Sequence, residues 1–193
     1  MRKLLILLSI LACLTPGLAS ADGWYYAAPA ASGNIPGWFG VTDETGYGWN
    51  TYAGLISNWN VNVSYLCPGT GNRTLTNLVL WVKKTGDSYK RFKLAIYDES
   101  GNKVCEGSAY VTVVSTTGAW EGHTAFTGST TLTGGSYYRF GVSRHEEVQE
   151  GYKTGSSNDN SYSFGNYFDD PWPTTIPSGT GNDMNPVIKA YVE

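Results

Sequence analysis

Tryptophan is the residue in this chain whose type and placement most readily suggest chemistry. Trp24, Trp38 and Trp49 lie among Gly and Tyr, in Gly23-Trp24-Tyr25-Tyr26, Gly37-Trp38-Phe39-Gly40 and Tyr47-Gly48-Trp49, and Trp172 stands between Pro171 and Pro173. A flat indole stacks on the apolar face of a sugar ring while its N–H hydrogen-bonds a hydroxyl, and binding groups concentrate in loops. Trp38, Trp49 and Trp172 are therefore the candidate glycan-binding residues. Asn50, Asp170 and Asn182 are the polar neighbours expected to fix a ligand's orientation. The competing role for each loop Trp is to plug the end of a sheet sandwich. Trp59 shares the apolar phase of its strand and is expected in the core. Trp81 falls opposite Leu80 and Val82, which places it either in solvent or in a second packed layer.

Catalytic chemistry is harder to assemble. A glycosidase needs two carboxylates roughly 5–9.5 Å apart, and Glu121, Glu146, Glu147, Glu150, Asp169 and Asp170 are the candidates, none in a recognisable motif. Solvated surface charge explains them as well. His123 and His145 are the only histidines and show no metal-ligand spacing. Neither Gly128-Ser129 nor Gly155-Ser156-Ser157 matches a nucleophile elbow. A lyase set could draw on His145, Arg144 and Tyr138 or Tyr152. No catalytic residue is assigned, and the balance leans away from an enzyme.

Asp98, Ser100 and Asn102 offer oxygens at alternate positions, as calcium loops do, but lack a distal Glu. A hairpin turn is the first reading and a structural calcium the second; no cofactor or metal site is assigned. Cys67 and Cys105 are expected to form one disulfide if the domain is exported, worth about 4 kcal/mol on chain-entropy grounds.

These groups must be positioned by strands. The chain has 193 residues with 7 Trp, 14 Tyr, 6 Phe and 24 Gly, but only 15% charged residues and 2 Met. That composition excludes disorder and favours strands and turns over helices. The formal net charge is −3 with no basic run, which argues against a nucleic-acid partner. Residues 1–21 read as a secretory signal: Arg2-Lys3, an apolar run from Leu4 to Leu14 broken only by Ser9, then Ala19-Ser20-Ala21 before a cut. The expected location is secreted or extracytoplasmic, with lipid attachment at Cys13 the alternative. No later stretch approaches the ~20 apolar residues of a membrane span. Residues 22–193 then form one β-sandwich domain, with 22–58 an aromatic, Gly-rich N-terminal segment and 59–193 the main sandwich.

Period-two alternation marks strands at Trp59–Cys67, Leu75–Lys84, Arg91–Tyr97 and Ser136–Arg144. Ala109–Ser115, Trp120–Thr127, Ser161–Phe168 and Pro186–Val192 are further candidates, and Glu146–Asn160 reads as a polar loop. Nine to eleven short strands with no helical period must stack as two sheets or close on themselves. The expected fold is all-β, an antiparallel two-sheet sandwich of jelly-roll type.

Leu94-Ala95-Ile96-Tyr97-Asp98 running into a Gly101 turn, Trp120 after a turn, and Leu132-Thr133-Gly134-Gly135-Ser136-Tyr137-Tyr138 opening an apolar strand carry a resemblance. Over residues 75–145 the chain resembles jelly-roll modules of secreted microbial proteins, loosely the carbohydrate-binding modules. The resemblance implies architecture and supplies no catalytic signature. The leading expectation is thus an exported, non-catalytic module binding a polysaccharide or cell-surface glycan. Two alternatives stand beside it: a small jelly-roll polysaccharide lyase or glycosidase, and a purely structural or adhesive surface protein. Oligomeric state is not legible.

Overall fold

The computed structural model describes residues 36–42, 45–50, 57–61, 64–86, 90–144, 148–154, 161–166, 171–176, 180–182 and 184–193; for residues 50, 57–61, 153–154, 161–166, 180–182 and 184 it describes the backbone alone. The signal segment, Cys13, Trp24, His145, Glu146, Glu147, Asp169 and Asp170 lie outside the described residues.

Among the described residues every regular element is a strand: β1 Gly37–Gly40, β2 Gly48–Asn50, β3 Ser57–Val61, β4 Tyr65–Leu66, β5 Gly71–Lys84, β6 Arg91–Asp98, β7 Lys103–Gly107, β8 Val111–Thr112, β9 Ala119–His123, β10 Phe126–Gly128, β11 Thr131–Gly134, β12 Tyr137–Arg144, β13 Val148–Thr154, β14 Ser161–Asn166, β15 Thr180–Asn182, β16 Met184–Pro186 and β17 Ile188–Val192. The pairings are antiparallel and form two sheets. Sheet A runs β1-β17-β5-β13-β16, with β9 and β11 also on β5 and β2 on β13; sheet B runs β10-β7-β6-β12-β3-β14-β15, with β4 on β12 and β8 on β6. The chain crosses repeatedly from one sheet to the other, and the two inner faces share one core, which makes the fold an antiparallel β-sandwich.

The long central strand β5 shows how sequence pattern sets the layers. Leu78, Leu80 and Val82 point inward and are fully buried. They meet Ile188, Ala190 and Val192 of β17 and, across the sandwich, Phe92, Leu94, Ile96, Phe140 and Val142. Each of the Val, Leu, Ile and Phe side chains contributes about 1.5–3 kcal/mol when buried. The alternate residues Val79, Trp81 and Lys83 point outward from sheet A.

The described parts of the N-terminal segment belong to this architecture. Trp38 pairs with Tyr191 on β17, and Trp49 with Gly151 on β13. The expected strand from Trp59 to Cys67 holds β3 and β4, both on β12, with residues 62–63 between them outside the described residues; the expected strand from Trp120 to Thr127 divides between sheets, β9 in A and β10 in B. Of the region Glu146–Asn160, expected to be a polar loop, the described part, Val148–Thr154, is β13. Its inward side chains are Val148 and Glu150 (buried), and Glu150 is paired with buried Arg144 at 3.3 Å. An ion pair turned inward is invisible to a hydrophobic alternation.

The Cys67–Cys105 bridge is not formed; both cysteines are buried and free. Cys67 follows β4, which pairs with β12; β12 pairs with β6, and β6 with β7, which carries Cys105. Three interstrand steps of about 4.8 Å put the two far beyond the roughly 7 Å that a disulfide tolerates between Cα atoms. Burial, the larger cause, pushes the thiols up to about 11 at Cys67 and about 12 at Cys105.

Asp98 to Asn102 is the hairpin turn. Asn102 donates its backbone N–H to the Asp98 carboxylate at 2.8 Å and its side-chain amide at 3.1 Å, and Gly101 supplies the positive φ of 84°.

Candidate functional site

The outward face of sheet A gathers aromatic rings from five strands and one loop. On β1, Trp38 leans on Tyr191 of β17, ring centroids 5.1 Å apart. On β5 and β9, Trp81 and Trp120 are cross-strand partners with rings 5.5 Å apart. Tyr47, just before β2, sets its edge 5.9 Å from Trp81 and 5.1 Å from Trp49. Two lysines complete the row. Lys189 places its ammonium 3.8 Å from the centroid of Trp120 and 4.7 Å from that of Trp38; Lys83 lies 4.3 Å over Trp49. The result is a continuous band: Trp38, Tyr191, Lys189, Trp120, Trp81, Tyr47, Trp49, Lys83.

Period-two strands explain why these residues share a face. Glycines explain how the rings fit so close to the sheet. A Cβ at Gly151 would stand 2.7 Å from Cδ1 of Trp81 and 3.3 Å from Tyr47. A Cβ at Gly118 would stand 3.1 Å from both Trp49 and Trp81. The missing side chains are sockets over which the rings settle. Trp38 remains 42% exposed, while Trp49, Trp81 and Trp120 are half-buried. A row of partly exposed rings is what ring stacking needs: accessible π-faces with little side-chain entropy left to lose.

Of the three tryptophans expected to bind, two belong to this band and one does not. Trp172 is only 3% exposed and lies on the outer face of sheet B. Its ring packs edge-on against Tyr97, 6.3 Å away, over Gly141, where a Cβ would come within 2.6 Å of the indole. The segment 171–176 is tied down as a strap: Tyr97 donates its hydroxyl to the Pro173 carbonyl at 3.0 Å, and Lys103 donates its backbone N–H to Thr174 at 2.8 Å. Trp172 is thus the plugging tryptophan, and proline on both sides fixes it in place. The side chains of Asn50 and Asn182 and all of Asp170 lie outside the described residues; by backbone, Asn50 is on β2 next to Trp49, and Asn182 is on β15 in the other sheet.

Sequence reasoning passed over Trp81, Trp120, Tyr47, Tyr191, Lys83 and Lys189 as binding residues. The signal was present for Trp81, which falls in the polar phase of a strand whose apolar phase is complete. Lys189 and Tyr191 sit in the same outward phase of β17.

The candidate catalytic groups that are described serve the fold. His123 is buried; it accepts the Leu94 backbone N–H at Nε2, 3.2 Å, and burial, then Lys93, lowers its pKa to about 4. Glu121 accepts the backbone N–H of Ser115 at 3.0 Å and of Val114 at 3.2 Å, pinning the connection before β9. Glu150 is held by Arg144, which also donates to the Val148 carbonyl at 2.8 Å. Among the described residues no group of three or more His, Cys, Asp or Glu is arranged to hold a metal, and no helix is long and apolar enough to cross a membrane.

Comparison with known proteins gives no match to a family model, to a curated protein or to a solved structure.

Proposed function

We propose that this protein is an exported, non-catalytic β-sandwich that binds polysaccharide or cell-surface glycan across the outward face of sheet A. The observation that carries the reading is the band of aromatic rings from Trp38 to Trp49 on a sheet that no described segment covers, with Trp81, Tyr47 and Trp49 seated over Gly151 and Gly118. Sugar rings present apolar C–H faces that stack on indoles, and successive rings of a polymer meet successive aromatics. Binding is favoured over hydrolysis because His123, Glu121 and Glu150 are engaged in holding backbone and core. The signal-like residues 1–21 support export.

The test is a glycan array on the full chain, with reducing-sugar release measured in parallel. Binding without sugar release is expected, and Trp38→Ala should weaken it at least roughly tenfold while changing stability by less than about 1 kcal/mol. Sugar release by the wild type would replace this reading with the enzyme alternative. Absence of binding to any glycan would leave the adhesive or structural one.

A further inference from the structure

We infer that the glycan taken by the aromatic band is acidic, a polymer bearing uronate carboxylates or sulfate esters. The inference rests on the glycan-binding reading above and goes further by naming the ligand's charge. The acids of β1, β2, β5, β9, β13 and β17 are Glu121 and Glu150, and neither lies in the outward phase: Glu150 is buried against Arg144, and Glu121 pairs with Leu80 on the inner side. The outward phase of the same strands carries Lys83 and Lys189. A chain of formal net charge −3 therefore places two cations and no described strand carboxylate on the face that carries the band of partly exposed rings.

The lysines are also placed where an acidic sugar would need them. Their ammonium groups stand 3.8 to 4.7 Å from three indole centroids, at about the height of a sugar ring stacked on a neighbouring indole. A uronate carries its carboxylate at the rim of the ring, so an ammonium beside the stack meets the charge sideways. A cation–π contact at a half-buried site is weaker than a charge-assisted hydrogen bond, and a lysine stem is flexible. The Lys83 ammonium can swing off Trp49 toward a carboxylate and leave that ring face for stacking, and Lys189 adds positive charge beside Trp120 and Trp38. A charge-assisted hydrogen bond replaces a weaker contact. A neutral polymer would displace the lysines without that compensation.

The experiment is affinity electrophoresis of the full chain through gels containing polygalacturonate, a sulfated glycosaminoglycan, neutral xylan or poly-glutamate, at about 0.05 M and 0.5 M salt. An acidic polysaccharide should retain the protein roughly tenfold more strongly than xylan at low salt, with most of the preference lost at high salt. Lys83→Met with Lys189→Met should erase the preference and keep whatever xylan binding remains, with thermal midpoints as the folding control. The salt series on the wild type decides the matter even if those variants fail to fold. Equal retention by xylan, insensitive to salt, overturns the acidic assignment and leaves the glycan reading intact. Retention by poly-glutamate as strong as by the acidic sugars reduces the effect to plain charge attraction and also overturns it. No retention by any polysaccharide, or a mass that doubles with concentration in light scattering, removes the glycan reading itself.

Discussion

His123 shows how a residue with catalytic credentials is used for packing. Its ring lies over Gly107, where any Cβ would run into the imidazole, and contacts Phe92 and Phe126 at centroid distances of 6.2 and 6.4 Å. Accepting the Leu94 N–H at Nε2 requires the neutral ring. The folded-state pKa, about 4, is depressed from the ordinary 6.5. The unfolded chain therefore takes up the proton first, so the stabilisation is complete above about pH 6.5 and is lost as pH falls toward 4. At Glu106 burial works to raise the pKa, but hydrogen bonds from Lys103 and Lys93 outweigh it and hold the carboxyl below 4.5. Its contribution therefore fades at lower pH than that of His123. Urea melts of wild type and His123→Phe between pH 6.5 and 4.5 should differ in slope, the wild type losing stability on the order of 2–3 kcal/mol more. Parallel pH profiles would contradict the buried neutral imidazole. Gly107→Ala should cost about 1–3 kcal/mol in the same assay by pushing the ring aside.

At the scale of elements, β13 is the most instructive strand. It carries polar and glycine residues, yet it borders β5 and supports β2, so Trp49 depends on it for position. Its stability rests on Val148 and on the Arg144–Glu150 pair, with both partners nearly inaccessible. Glu150→Gln leaves a buried guanidinium without its counter-charge and should destabilise the fold by about 3–5 kcal/mol; chemical denaturation checks this, and a loss under about 1 kcal/mol would show the strand to be held otherwise. Strands whose inward phase is apolar were legible from sequence: β5, β6, β12 and β17 follow period-two alternation closely. Strands whose inward phase is charged or small, such as β13, were not. The sheet switch between β9 and β10 was also hidden, because period two is blind to which sheet receives a strand. The same limit applies to the site. Alternation shows that Trp81 points away from Leu80, but only pairing shows that Trp120, Tyr191 and Lys189 point the same way beside it.

Over the whole molecule the two outer faces have opposite fates. The strap from Pro171 to Ile176 covers part of sheet B, where Trp172 makes a second small core with Ala95 and Tyr97. Sheet A keeps its aromatics at the surface. Trp172→Ala should thus cost about 3–5 kcal/mol of stability and leave glycan affinity per folded molecule unchanged, the reverse of Trp38→Ala. Thermal melts and binding titrations on the two variants check the contrast. The cysteines fit the same picture of a core closed without covalent staples: Cys67 and Cys105 should react with an alkylating reagent only after unfolding, and without prior reduction, as read by mass spectrometry. The proposal of export therefore rests on the sequence of residues 1–21 and not on a disulfide.

The most direct test of the glycan face is the set of indole N–H signals in a nitrogen-15 correlation spectrum, titrated with an acidic oligosaccharide. The signals of Trp38, Trp49, Trp81 and Trp120 should move together along one saturation curve, while that of Trp172 stays in place. Movement confined to Trp172, or no movement in any of the five at saturating oligosaccharide and polymer, would contradict binding at the outward face of sheet A.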